Sequence, residues 1–186
     1  MTHSSLQGLY AITDPTLLPG KKLIKAVEQA LLGGASVIQY RDKTATEVEL
    51  IRRAEDLASC CRKFQRPLII NDRVDICKRV KASGVHLGQS DNAVHDARNQ
   101  LGNEAIIGTT CHNSIALAEK ANQDGASYVA FGRFFNSHSK QHAHPAELTT
   151  LEQATRTILL PKVAIGGINL DNGQSVLAHG ADMIAV

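Results

Sequence analysis

PLIIND (67–72), RVDICKRVKAS (73–83) and GVHLGQ (84–89) follow one another without a spare residue, and this stretch decides the fold. Its two outer pieces are short, continuous apolar runs rather than alternating ones, the pattern of strands buried on both faces. The piece between them reads as a helix. A strand, a helix and a second strand in such tight succession form a βαβ unit, whose strands lie parallel.

The same alternation extends in both directions. GLYAIT (8–13) and ASVIQY (35–40) precede it, and AIIGTT (105–110), YVAFGR (128–133), KVAIGG (162–167) and ADMIAV (181–186) follow. Between these runs lie KKLIKAVEQALLGG (21–34), TEVELIRRAEDLASCCRKF (46–64), NAVHDARNQLG (92–102), NSIALAEKANQDG (113–125), ELTTLEQATRTIL (147–159) and LDNGQSVLAHG (170–180). The first places Leu23, Val27, Ala30 and Leu31 at helical spacing and ends in Gly33-Gly34. Eight strand starts at intervals of 17 to 34 residues, with seven helices, predict an α/β fold: a (β/α)₈ TIM barrel of eight parallel strands. A doubly wound open sheet is the alternative, but no G-x-G-x-x-G turn follows any strand. No linker divides residues 1–186, so the reading is a single domain. Barrels typically run to ~250 residues. The eighth run ends at Val186, so the domain is expected to be truncated at its C-terminus. Its last helix would be missing, leaving apolar surface open on the eighth and first strands.

Composition narrows the function. Lysine plus arginine number 20 against 18 aspartate plus glutamate, a net charge of +2, which is too little surplus for a general nucleic-acid binder. Hydrophobic residues make up 43%, which excludes a disordered acidic chain. Aromatics at 4%, without Trp, argue against a base-stacking surface. Cys60, Cys61, Cys77 and Cys111 are too few for a disulfide scaffold and show no C-x-x-C spacing. With no apolar run of membrane length and no secretory leader visible, the expectation is a cytoplasmic protein with no nucleic-acid or membrane partner. A homo-oligomer is compatible with this reading.

Barrel active sites form at the C-terminal ends of the strands. Asp72 and Asp91 end the third and fourth runs, and paired carboxylates suit Mg²⁺ completed by phosphate oxygens. Both also precede helices, so N-caps explain them equally well. Gln39, Arg41 and Lys43 share one side of the second strand by period-2 spacing, and the two cations suit phosphate oxygens. Ser137, Ser139 and Lys140 lie in the long segment 132–145, which could close over an anionic leaving group. His138, His142 and His144 invite a zinc site there, but no cysteine or carboxylate completes a set with the usual spacing. Gly166-Gly167 offers backbone N–H groups for a phosphate, or simply a tight turn. Cys111 and His112 are strand neighbours that point to opposite faces, which argues against a nucleophile–base pair.

YAITD, QYRDK, LIINDR, GVHLGQSD, GTTCHN, FGRFFNSHSK and AIGGI occur in this order along the whole chain. The ordered set strongly resembles the thiamine-phosphate synthase family, also called thiamine-phosphate pyrophosphorylase. The resemblance implies a (β/α)₈ barrel transferase acting on two small molecules. Hydroxymethylpyrimidine diphosphate and hydroxyethylthiazole phosphate would give thiamine phosphate and pyrophosphate, with Mg²⁺, by a dissociative substitution. It implies metal ligation by Asp72 and Asp91 and catalytic contacts from Arg41, Lys43 and Lys140. It also implies substrate binding by Gln39, Arg41, Lys43, Asn71, Thr110, Ser137, Ser139, Lys140, Gly166 and Gly167. The family's P-T-x-T-K loop reads Asn136-Ser137-His138-Ser139-Lys140 here, keeping the hydroxyls and the lysine but not the proline. The related thiazole tautomerase is the nearest rival, kept open by His112, and a non-catalytic barrel that binds a phosphorylated ligand is the second.

Overall fold

A computed structural model describes residues 6–91, 93–136 and 145–186. The strands are β1 (Gly8–Ile12), β2 (Ala35–Tyr40), β3 (Leu68–Asn71), β4 (Gly84–Leu87), β5 (Ile106–His112), β6 (Tyr128–Gly132), β7 (Lys162–Ile165) and β8 (Met183–Ala185). The helices are α1 (Lys22–Leu32), α2 (Glu47–Lys63), α3 (Val74–Val80), α4 (Val94–Leu101), α5 (Ile115–Gln123), α6 (Leu148–Thr157) and α7 (Gly173–Ala178). The strands pair in parallel in chain order and close, β8 onto β1, into the expected barrel.

Two apolar layers hold it. Residues facing outward from the strands, such as Ile38, Leu68, Ile70, Val85 and Leu87, pack beneath the helices. The alternate residues Tyr10, Val37, Ile69, Tyr128, Ala130, Val163 and Met183 fill the barrel interior, which Leu6 joins from the N-terminal side. Gly108 makes room for the Tyr128 ring: a β-carbon there would lie 1.9 Å from Tyr128 Cζ. Cover is thinnest over β8 and β1, where Leu9, Ala11 and Ile184 are half-buried, and no helix follows β8 among the described residues.

The elements differ from the expected ones mainly at their ends. Helix α7 starts at Gly173 rather than 170, because Asn169 and Asn172 satisfy each other's backbone in a turn first. Strand β5 runs on to His112 through a register shift, and His112 takes a left-handed φ of 53°. Capping fixes α2 more sharply. Thr46 and Glu49 form a reciprocal capping box, with Glu47 and Glu49 in the first turn and Arg62 and Lys63 in the last.

At the opposite end from the strand tips, Arg98 staples neighbouring βα units together. Its guanidinium donates to the carbonyls of Gly102, Asn103, Ala105 and Gly125 and to Ser127 Oγ.

Candidate active site

Strand β2 ends at Tyr40, so Arg41 and Lys43 do not extend its alternation as expected but stand in the loop beyond it. Two anchors fix that loop. The Arg41 N–H donates to Thr13 Oγ1 at 3.0 Å, tying the ends of β1 and β2. Asp42 accepts from the backbone of Thr44 and Ala45 and from Arg53 Nη1 at 2.7 Å. Burial opposes the charge on Asp42, but these bonds hold its carboxyl below the usual range. The turn delivers Lys43 Nζ to 3.1 Å from Asp72 Oδ2.

Asp72 follows β3 directly, in a left-handed conformation with φ 61°. Its N–H donates to the carbonyl of His86, so β4 fixes its backbone. It does not cap α3, whose N-cap is Arg73. Asp91 does not cap α4 either, since that N-cap is Ala93. The Gly88 N–H donates to Asp91 Oδ2 at 2.6 Å instead, and a β-carbon at Gly88 would approach that oxygen to 2.9 Å. The N-cap alternative for both carboxylates is therefore overturned.

The two carboxylates border separate hollows. Asp72 shares one of about 290 Å³ with Tyr40, Asp42, Lys43, Asn71 and Arg73. Asp91 shares one of about 180 Å³ with Gln89, Thr109, Lys120 and Asp124. Among the described residues no three His, Cys, Asp or Glu side chains gather to hold a metal. The donor chemistry nonetheless fits a hard cation. Each carboxylate commits Oδ2, to Lys43 or Gly88, while Oδ1 has no protein partner among the described residues. Two such oxygens and the oxygens of a phosphorylated ligand form a donor set suited to Mg²⁺.

Inside the barrel, below these carboxylates, runs a chain of polar side chains. Gln39 Nε2 donates to the Tyr10 hydroxyl at 2.8 Å, and the Tyr10 and Tyr128 hydroxyls are 2.7 Å apart. Tyr128 Oη lies 2.9 Å from His86 Nδ1, and His86 Nε2 lies 2.9 Å from Thr110 Oγ1. Burial pushes both phenols well above the ordinary tyrosine range, so they stay protonated. Gln39 is thus not a solvated strand-end residue, being only 3% exposed. His86, Tyr10 and Tyr128 lie within apolar runs that read only as strands. The signal for His86 was a polar residue amid the apolar run Gly84–Leu87, at the alternate position facing inward.

Gly166 and Gly167 take positive φ values of 104° and 64° and pack against residues 133–136, whose Phe134 and Phe135 N–H groups donate to Ile165 and Gly166. A β-carbon at Gly166 would lie 2.3 Å from Arg133 Cβ, so the close approach itself demands glycine. The expected contacts from Ser137, Ser139 and Lys140, and the His138/His142/His144 cluster, lie outside the described residues. Cys111 is fully buried, and burial pushes its thiol to about 12, which removes it as a nucleophile beside the exposed His112.

Parallel strands closed into a barrel, with carboxylates and cations gathered beyond their C-terminal ends, are the architecture of a (β/α)₈-barrel enzyme. Residues 9–186 match the family model described as thiamine monophosphate synthase. A thiamine-phosphate synthase of Alcanivorax borkumensis is 48% identical over 181 residues, which cover 97% of this chain and 83% of that protein. The solved thiamine phosphate pyrophosphorylase of Pyrococcus furiosus superposes with a TM-score of 0.86 at 35% identity, over 97% of this chain and 85% of that one. The geranylgeranylglyceryl phosphate synthase of Thermoplasma acidophilum, solved with sn-glycerol-1-phosphate, shares the fold at a TM-score of 0.69 and 15% identity, over 100% and 86% of the two chains. The chain belongs to the thiamine monophosphate synthase family and is a transferase. These relatives do not favour the tautomerase reading.

Proposed function

We propose that the barrel mouth joins a hydroxymethylpyrimidine diphosphate to a hydroxyethylthiazole phosphate, giving thiamine phosphate and pyrophosphate. The observation that carries this reading is the family match over residues 9–186, which spans the strand ends where Lys43, Asp72 and Asp91 stand. The bond between the pyrimidine methylene carbon and the diphosphate oxygen breaks, and its electron pair leaves with pyrophosphate. The thiazole nitrogen then donates its lone pair to that carbon. Such a step needs charge stabilisation and positioning more than a base.

In this reading Asp72 and Asp91 would hold Mg²⁺, which would supply charge neutralisation for a bound diphosphate. Arg41, Lys43 and Lys140 supply further cationic contacts, with Ser137 and Ser139 as hydroxyl donors. Asn71, Gln39 and Thr110 orient the pyrimidine, while Gly166 and Gly167 offer backbone to the thiazole phosphate. No helix among the described residues is long and apolar enough to cross a membrane. The near-balanced charge supports small-molecule partners rather than nucleic acid, and four free buried cysteines support a reducing, cytoplasmic setting.

The test is a coupling assay with both phosphorylated precursors, with Mg²⁺ or with a chelator, read by mass spectrometry. Thiamine phosphate that requires Mg²⁺ is the expected product. Its absence at saturating precursors overturns the reading.

A further inference from the structure

The chain Gln39–Tyr10–Tyr128–His86–Thr110 comprises four hydrogen bonds, and each takes one proton. The Gln39 amide nitrogen only donates, so it fills the first. Tyr10, Tyr128, a neutral His86 and Thr110 then bring four protons to three bonds. One proton is left over, and its place sets the direction of every bond.

That proton cannot belong to His86, because both ring nitrogens already stand in the chain. Were it on Tyr10 or Tyr128, a hydroxyl hydrogen would be buried without an acceptor, for the two rings are 2% and 1% exposed. Thr110 is half-buried at the open end of β5. Only there can the extra proton leave the chain without being buried unpaired.

We infer that the barrel interior is a polarised relay, running from Gln39 through Tyr10 and Tyr128 to His86 and on to Thr110, which fixes His86 as the Nε2–H tautomer and makes the Thr110 hydroxyl an obligatory donor to the substrate. Tyr10, Tyr128 and His86 are thereby positioning residues. The site selects a ligand that presents a lone pair at Thr110, as a ring nitrogen of a pyrimidine does, and disfavours one that presents an N–H. The link to a pyrimidine rests on the proposed function, whereas the tautomer does not.

Nitrogen NMR of ¹⁵N-histidine-labelled protein, with the His86 ring assigned through its own backbone, reads the tautomer without substrate. A proton on Nε2 and a bare Nδ1 are expected, and a proton on Nδ1 overturns the inference. Gln39→Glu keeps the size of the side chain but, once ionised, turns the first member into an acceptor. Every bond then reverses and the His86 proton moves to Nδ1. If it stays on Nε2 after carbon NMR shows the carboxylate, the relay is overturned.

Tyr128→Phe preserves the ring and should raise KM for the pyrimidine diphosphate about tenfold, with kcat within about threefold, the effect of one lost orienting hydrogen bond. An unchanged KM overturns the substrate link. Wild-type protein that shows the Nε2–H imidazole but couples nothing overturns the proposed function and supports the relay.

Discussion

Asp72 shows what a single residue gives up to stand at the end of a barrel strand. Its left-handed backbone costs a residue with a β-carbon roughly 1–2 kcal/mol, which Asp bears better than most because its short side chain bonds locally. The surroundings maintain that conformation through the bond to His86 and the Lys43 ion pair. Asp91 has no such strain and offers the cleaner substitution. Asp91→Ala should abolish Mg²⁺-dependent coupling while circular dichroism shows an intact fold, and wild-type turnover in that variant would remove the aspartate from the metal site. Asp42 acts one step further back, as the anchor of the loop that carries Lys43. Its folded pKa is depressed, so its stabilisation is present above the unfolded value of about 3.9 and is lost as pH falls through the lower folded value. Asp42→Asn should therefore cost about 1–3 kcal/mol at neutral pH. That cost should shrink as pH falls below about 3.9, in urea titrations at several pH values.

At the scale of elements, the βα units are joined at their lower edge by side chains as well as by the sheet. Arg98 bonds four carbonyls contributed by the α4–β5 and α5–β6 connections, with no carboxylate beside it in those contacts. Burial pushes its pKa down, yet it remains charged. Arg98→Ala should lower stability by about 2–3 kcal/mol, read as a shift in urea midpoint, with no change in KM, because the strand tips are untouched. The elements themselves were largely legible. Continuous runs such as ASVIQY and KVAIGG gave strands Ala35–Tyr40 and Lys162–Ile165, because strands covered on both faces leave no room for polar alternation. What failed was inference across a strand end. Period-2 spacing placed Arg41 and Lys43 beside Gln39, but the strand stops at Tyr40 and the Asp42 turn redirects the chain. The N-cap alternative for Asp72 and Asp91 failed because each carboxylate is bound elsewhere.

At the scale of the molecule, closure creates what no local window of sequence contains. Tyr10 and Tyr128 are 118 residues apart and meet only because eight strands come full circle. The carboxylates were legible because strand ends can be counted, whereas the interior relay was not, since its members come from five different strands. Gly108 is the space that lets it exist. Gly108→Ala would drive a methyl group into the Tyr128 ring, and we expect a loss of about 3 kcal/mol with the Nε2–H signature of His86 gone as well. A scaffold role alone would cost stability and leave the tautomer in place.

The two phenol hydroxyls at the heart of this barrel are sealed from water, 2% and 1% exposed and bonded to each other. Their hydrogens can trade with solvent deuterium only when neighbouring strands part. Resonances from these hydroxyls should therefore persist in water, as those of solvent-exposed phenols do not. Their lifetimes would clock how often the barrel breathes, giving a built-in timer that needs neither label nor ligand.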